Sequence, residues 1–302
     1  MSNMINPFTD WGFKRLFGRE ESKPVMIDLL NSILADGRQI VDITYENKER
    51  TPVGADNRTV IYDIYCTTSD GRHIIVEMQN GRQWFFKERT IFYTTLSVEE
   101  NGEKGKWNYQ FDEVLLIAFL NYKDSRISNR LRTDVMLKDI ETNEVFSKCL
   151  HLVYLQMPMA DNLKEEDCAT DFEYWIYNLY NMEKLDELAF KDKKPVFYKL
   201  EKMANPHFMT REENVEYQRS LKQMWDYDAV MDGERAFARE EGLAEGRAEG
   251  MQQGLEEGRA EGRAEGMQQE KLAIATNLKK LGTPIDIIVQ ASGLTKEQVD
   301  AL

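Results

Sequence analysis

The chain has 302 residues, 30% of them charged and 42% hydrophobic, with 53 acidic against 39 basic side chains and a formal charge of −14. That much apolar material can bury one ordinary core or two modest ones, while the acidic balance argues against a protein whose whole surface attracts phosphates. The longest uninterrupted apolar run, Val114 to Leu120, is seven residues against the ~20 that a membrane-spanning helix requires, so no membrane partner is expected, and with no basic and apolar leader at the N-terminus the cytoplasm is the expected location.

Cys66, Cys149 and Cys168 include no C-x-x-C pair, and His73, His151 and His207 lie beyond helical reach of one another. Neither a disulfide framework nor a cysteine or histidine metal site is expected, and any catalysis must lean on carboxylates. In chain order, residues 23–35 carry Val25, Met26, Leu29, Leu30 and Ile33 at a 3.6-residue period ended by Asp36-Gly37, which predicts a helix. Residues 40–45 and 60–67 are β-branched and aromatic, and 72–79 follow the turn signal Ser69-Asp70-Gly71, which predicts a three-stranded meander. Residues 83–99 resume a helical pattern, and 113–122 are apolar on both faces, as a buried central strand is. Two further strands are expected at 131–140 and 150–156 around a turn near Glu141-Thr142-Asn143, then helices at 165–188, 196–204 and from Arg211 onward. Basic residues gather in four groups: Lys14, Arg15 and Arg19; Lys48, Arg50 and Arg58; Arg82, Lys87 and Arg89; Arg126, Arg130 and Arg132. A local nucleic-acid surface is therefore compatible with the net charge.

Two acids stand out on the meander. Asp63 lies within Val60-Ile61-Tyr62-Asp63-Ile64-Tyr65-Cys66 and Glu77 within Ile74-Ile75-Val76-Glu77-Met78-Gln79, although carboxylates are depleted in strand interiors and costly to bury without a partner. Register decides whether they meet. A two-residue turn at Asp70-Gly71 pairs Asp63 with Met78 and sets the acids on opposite faces. A three-residue loop Ser69-Asp70-Gly71, with Gly71 left-handed, pairs Thr68 with Arg72 and Asp63 with Glu77, and Ser-Asp-Gly suits it well. Carboxylates opposed with their roots about 5 Å apart repel unless a cation lies between them, and hard oxygen ligands select Mg²⁺ or Mn²⁺. The plain alternative is a pair of solvent-face acids on a half-exposed sheet; the apolar flanks of both acids, and Gln79 on the face of Glu77, weigh against it.

The spacing from Asp63 to Glu77-Met78-Gln79 resembles the Asp…(Asp/Glu)-x-Lys core of the PD-(D/E)XK nuclease superfamily, with glutamine in place of lysine. More closely, the chain resembles the recombination-promoting nucleases, also described as PD-(D/E)XK transposases. The residues that carry this are Asp10-Trp11-Gly12-Phe13-Lys14-Arg15-Leu16-Phe17-Gly18, Glu77-Met78-Gln79, Lys87-Glu88-Arg89-Thr90-Ile91-Phe92-Tyr93 and a tail with glycine at every fourth position. The resemblance spans essentially the whole chain. It implies an α/β, restriction-endonuclease-like core, a mixed sheet flanked by helices, with an α-helical C-terminal extension. It also implies Asp63 and Glu77 as ligands of Mg²⁺, with Mn²⁺ or Ca²⁺ as substitutes and the Met78 carbonyl as a third ligand, and DNA as the substrate. Such a metal lowers the pKa of a bound water and neutralises charge in the transition state of phosphodiester hydrolysis.

Gln79 departs from the family pattern, because an amide orients water or holds a phosphate oxygen without carrying charge. Lys87 and Arg89 are the candidates to supply that charge from the following helix, and Tyr93 shares the face of Arg89; without the family they read as surface cations and a core tyrosine. A lysine at position 79 is expected to retain or increase cleavage if the position faces a phosphate. Lys14 is a lesser phosphate-binding candidate, in a segment whose Phe13 and Phe17 otherwise read as core packing. Asp10 and Asp28 are both candidates to complete the site. A metal-dependent DNA endonuclease serving recombination, a mobile element or phage defence is expected; the rival is a catalytically weak or inactive nuclease-like interaction protein acting through its tail.

From Gly242 to Gly266 a glycine recurs every four residues, placing seven of the eighteen glycines within 25 residues. Each costs about 1 kcal/mol in a helix relative to alanine, and Glu241, Glu245, Glu249, Glu257, Glu261 and Glu265 stack like charge along one line. The segment is either a helix that self-associates by close approach, making a homo-oligomer, or a flexible linker. Residues 271–281, 283–291 and 295–302 are expected to be three short helices, with Thr283 the N-cap before Pro284, Thr295 to Gln298 a capping box, and Ala291-Ser292-Gly293-Leu294 a turn that serves packing rather than groove reading. The expected organisation is a nuclease-like core over 1–160, a helical extension over 161–240, the glycine repeat over 241–269 and a small helical tail over 270–302.

Overall fold

The computed structural model describes residues 4–34, 37–50, 60–100 and 111–302. Arg58, the side chain of Arg50, and the expected helix end at Ala35-Asp36 lie outside the described residues. In chain order the elements are α1 (Asp10–Phe17), α2 (Lys23–Leu34), β1 (Ile43–Tyr45), β2 (Glu49–Arg50), β3 (Val60–Ile61), β4 (Ile64–Thr68), β5 (His73–Gln79), α3 (Phe86–Glu100), β6 (Val114–Leu120), β7 (Arg132–Lys138), β8 (Val145–Gln156), α4 (Asp171–Asn181), α5 (Val196–Ala204), α6 (Arg211–Lys280), α7 (Ile285–Ser292) and α8 (Lys296–Asp300). Two compact units divide between Ala229 and Val230.

Strand alternation explains the architecture of the first unit. Every residue of β6 is buried; Leu115, Ile117 and Phe119 enter one core, and Val114, Leu116, Ala118 and Leu120 enter another, as the two-residue period of a strand requires. β6 sits inside a six-stranded sheet of order β1-β4-β5-β6-β8-β7. It runs parallel to β5 and β8, whereas the β1–β4, β4–β5 and β7–β8 pairs are antiparallel. The sheet is mixed, with helices on both faces. Residues of α1, α2, α4 and α5 fill the first core around Phe13, Phe17, Trp175 and Phe197, while Phe86 and Leu96 of α3 close the second.

Polar groups at the edge of the first core are tied to one another. The indole of Trp175 donates to Asp28 Oδ1 at 2.7 Å, and Lys194 reaches both Asp28 at 2.9 Å and Asp171 at 2.6 Å, so Asp28 serves packing. The start of α6 docks on the N-terminal segment: the Asn6 amide donates to Tyr217 Oη at 2.8 Å, and Glu213 receives both Arg15 and Arg19. These two arginines are thereby removed from the basic groups that could meet DNA.

Five local expectations are corrected. The helix expected over 165–188 is confined to α4, which Thr170 caps, and the short helix expected over 271–281 is the continuous end of α6. The strand expected over 60–67 is broken at Tyr62-Asp63, because β3 pairs with β2 in a separate ribbon and Tyr62 turns its ring into the second core, 5.3 Å from Tyr65 and 5.5 Å from Tyr93. β8 begins at Val145 rather than 150, since a register shift in β7 lets the hairpin extend outward. Thr283 is not an N-cap. Its amide donates back to the Leu278 carbonyl at 3.2 Å after Gly282 reverses the chain at φ +74°, and Pro284 occupies the cap without a side-chain bond.

In the second unit the end of α6 packs with α7 and α8 around Ala275, Ile288, Leu294 and Val299. Gly293 closes α7 in the left-handed conformation, and the Thr295–Gln298 capping box forms with both of its bonds. No helix among the described residues is long and apolar enough to cross a membrane.

Candidate active site

The β4–β5 hairpin adopts the three-residue loop. Thr68 and Arg72 face each other, the Thr68 amide donating to the Arg72 carbonyl at 2.9 Å, and Gly71 takes φ +87°, a conformation that favours glycine. Ile64 pairs with Val76, so the next step of the ladder brings Asp63 opposite Glu77. The two acids then bond reciprocally to main chain across the break. The Asp63 amide donates to Glu77 Oε1 at 3.3 Å, and the Met78 amide donates to Asp63 Oδ2 at 2.8 Å.

Their electrostatics follow from this. Glu77 is 5% exposed, and burial, followed by repulsion from Asp63, pushes its carboxyl up to about 8 against a partial offset from Arg89. Burial also raises Asp63, while its bond from the Met78 amide and the charges of Lys14 and Arg89 work against the rise. Both acids are held back from ionising, which is the condition of paired carboxylates that lack a cation between them.

Arg89 organises the rest of the site. Its Nη2 donates to Gln79 Oε1 at 2.7 Å and lies 3.9 Å from Glu77 Oε2, its Nη1 donates to Gln83 Oε1, and its guanidinium packs 4.9 Å from the Phe86 ring and 5.4 Å from the Tyr93 ring. Its Nε is buried without a hydrogen-bond partner among the described residues. Gln79 turns its amide nitrogen to the Gly81 carbonyl at 3.1 Å; a Cβ added at Gly81 would stand 1.9 Å from the Tyr227 hydroxyl, so a larger residue here requires the end of that side chain to move.

Of the residues singled out from sequence, Asp63, Glu77, Met78, Gln79, Arg89 and Tyr93 come together. Lys14 joins them electrostatically on Asp63 and Glu77, although it also pairs with Asp10 at 2.5 Å; Asp10, not Asp28, is the early acid whose charge reaches Asp63. Lys87 is not brought in, since its ammonium donates to the Arg126 carbonyl at 3.3 Å. Gln83 and Lys48 are site residues that sequence reasoning missed. Burial and the Lys14 charge lower the Lys48 pKa while Asp63 and Asp10 raise it; its place in a basic group was the available signal, whereas Gln83 carried none.

The donors that a cation would meet are two carboxylates and main-chain oxygen, since no group of three or more Asp, Glu, His and Cys side chains gathers among the described residues. That set fits Mg²⁺, which is commonly held by one or two carboxylates with water and substrate phosphates in the remaining positions. The model of the family described as PD-(D/E)XK nuclease family transposase matches residues 7–234. The chain belongs to this family. The match takes in α1 to α5, the whole sheet and the first part of α6, and so contains every residue of the site. No curated protein and no solved structure matches the chain. The mixed sheet flanked by helices is the PD-(D/E)XK fold, and the family is one of nucleases and transposases, which act on DNA.

Proposed function

We propose that the chain is a divalent-metal-dependent DNA endonuclease that hydrolyses phosphodiester bonds at the Asp63–Glu77 pair, in the service of recombination, a mobile element or phage defence, and that it self-associates through its glycine repeat. The observation that carries the reading is the reciprocal bonding of two opposed, largely buried carboxylates at the end of parallel strand β5. Glu77 accepts from the Asp63 amide and Asp63 from the Met78 amide, with a single cation among the described residues, Arg89, at 3.9 Å from Glu77.

On this reading Asp63 and Glu77 hold Mg²⁺, with Mn²⁺ or Ca²⁺ as substitutes and the Met78 carbonyl as a further donor. When bound, the cation supplies positive charge to the phosphate and lowers the pKa of water. Arg89 stands in for the lysine that Gln79 replaces: its guanidinium is fixed by the Gln79 and Gln83 amides, 3.9 Å from Glu77, where it offsets charge that grows on the phosphate in the transition state. Burial of Glu77 excludes water from the back of the site and keeps these interactions strong.

Supercoiled plasmid tests the reading. The wild type should nick it with Mg²⁺ and leave it intact in EDTA, and Asp63→Asn and Glu77→Gln should each lower the rate more than tenfold, about 1.4 kcal/mol or more in barrier, with cooperative unfolding preserved. Wild-type rates in both variants would remove the site assignment, and a wild type inert with every cation would leave the non-catalytic reading in its place.

A further inference from the structure

Next to Gln83 the surface carries two aromatic side chains that stand largely in water. Trp84 is 76% exposed and Phe85 68% exposed, side by side in the turn that leads into α3. A packed aromatic buries about 150–250 Å², so leaving two neighbours in water forgoes a large stabilisation. The turn is nevertheless held in place. Arg126 donates from Nη1 to the Trp84 carbonyl at 3.2 Å and from Nη2 to the Gln83 carbonyl at 3.4 Å, and its guanidinium lies 4.8 Å from the Trp84 ring. Asp124 grips that guanidinium in turn at 2.9 and 2.6 Å.

The surroundings are basic on an acidic chain. Arg82 donates to the Lys123 carbonyl, Lys87 to the Arg126 carbonyl, and the charges of Arg82, Arg89 and Arg126 all reach the Tyr122 hydroxyl at the end of β6. The patch is also continuous with the acid pair, because Gln83, the residue before Trp84, accepts from the same Arg89 that holds Gln79. Phosphates alone would call for cations. Exposed rings among those cations match a ligand that offers flat π faces as well as phosphates, and the bases of an intact duplex hide those faces in the stack.

We propose that Trp84 and Phe85 form a stacking platform for unpaired bases beside the scissile phosphate, so that the substrate class is DNA with single-stranded character, such as a single strand or a fork. The proposal rests on the DNA reading above. Arg126 sets the pitch of the platform, and Arg82 and Lys87 meet the backbone of the strand whose bases stack.

The test is binding, measured by fluorescence anisotropy on the full chain in EDTA, so that no cleavage intervenes, with a labelled single strand, a forked duplex and a blunt duplex. The wild type should bind the first two more tightly than the third. Trp84→Ala with Phe85→Ala should lose roughly tenfold to a hundredfold in affinity for single strand and fork while binding the blunt duplex as before, and Trp84→Phe, which keeps a ring, should recover most of the loss. An equal loss on blunt duplex, or no loss on any probe, overturns the proposal, and so does a change in sedimentation between wild type and double variant, which would assign the patch to a second copy of the chain. Failure of the nuclease reading is separable: a protein that nicks nothing yet binds single strands through Trp84 keeps the platform, whereas an active enzyme whose double variant binds every probe normally loses it alone.

Discussion

A glutamate that keeps its proton near neutral pH leaves a mark on stability, and for Glu77 the sign can be worked out. Unfolded, it ionises near 4.5; folded, burial and Asp63 push it up to about 8. Below the lower value both states are protonated and ionisation of this acid takes nothing from the stability of the fold. As pH rises between the two, the unfolded chain sheds its proton first, so the fold loses stability until the folded carboxyl ionises as well. Glutamine does not titrate. In EDTA, therefore, the melting temperature of Glu77→Gln should match the wild type near pH 4.5 and exceed it by several degrees at pH 8; a gap that stays constant across that range would mean that Glu77 is ionised in the fold. The Gln79 side chain bears on a different expectation. A lysine there is the family pattern, yet the amide oxygen already accepts from Arg89 at 2.7 Å, and two cations at that separation repel. Gln79→Lys should thus lower stability by about 1–2 kcal/mol and slow cleavage, and Gln79→Lys combined with Arg89→Gln, which moves the single charge across the pair, should restore both. Thermal melts and plasmid nicking on the three variants check it, and full activity in the single variant would show that Arg89 is free to leave.

At the scale of elements, what could be read in advance were the features set by neighbours in sequence. The period of α2 and the uniform apolarity of β6 each follow from local chemistry, and the three-residue loop follows from a glycine able to take φ +87° at Gly71. Because that loop sets the register, the meeting of Asp63 and Glu77 was legible too. The break at Tyr62-Asp63 was not, since the residues look continuous and only the distant contacts of Tyr62 with Tyr93 and of Asp63 with Met78 pull the strand apart. The same division runs through the site. Arg89 and Tyr93 could be paired by their four-residue spacing, but that Arg89 points inward to Gln79 while Lys87 points away to Arg126 depends on how α3 lies over the sheet. Arg15 and Arg19 read as a basic cluster in sequence and are spent on Glu213 nearly 200 positions later, a partner that no local pattern announces. The start of β8 and the cap at Pro284 differ for local reasons that the residue pattern does not announce, a bulge in the β7–β8 hairpin and a left-handed Gly282.

On the scale of the molecule the open element is α6. A Cβ built on any of the seven glycines from Gly242 to Gly266 meets no atom within 4 Å, so nothing among the described residues requires glycine there, and seven of them weaken the helix by about 1 kcal/mol each relative to alanine. The residues beside them are just as unused: Leu243, Met251, Leu255 and Met267, each following a glycine, are all more than half exposed. Glutamate precedes six of the seven glycines, and Arg247, Arg259 and Arg263 follow three of them. A glycine groove with an acidic flank on one side and an apolar and basic flank on the other is self-complementary in a parallel pair, because a two-fold axis along the helices would set each flank against its opposite. A stripe of period four drifts about 40° per repeat around a straight helix, so lasting contact demands right-handed winding or engages only part of the stripe. Replacing Gly250, Gly254 and Gly258 by leucine should then raise the helicity of the segment while weakening association, since the added side chains stabilise each helix but hold the backbones apart. The two effects have opposite signs, which separates close packing from ordinary hydrophobic clustering, where leucine would strengthen both. Sedimentation equilibrium with circular dichroism on the wild type and the triple variant decides between them. A wild type that stays monomeric at micromolar concentrations, or a variant that associates more tightly, would return the segment to the role of a spacer.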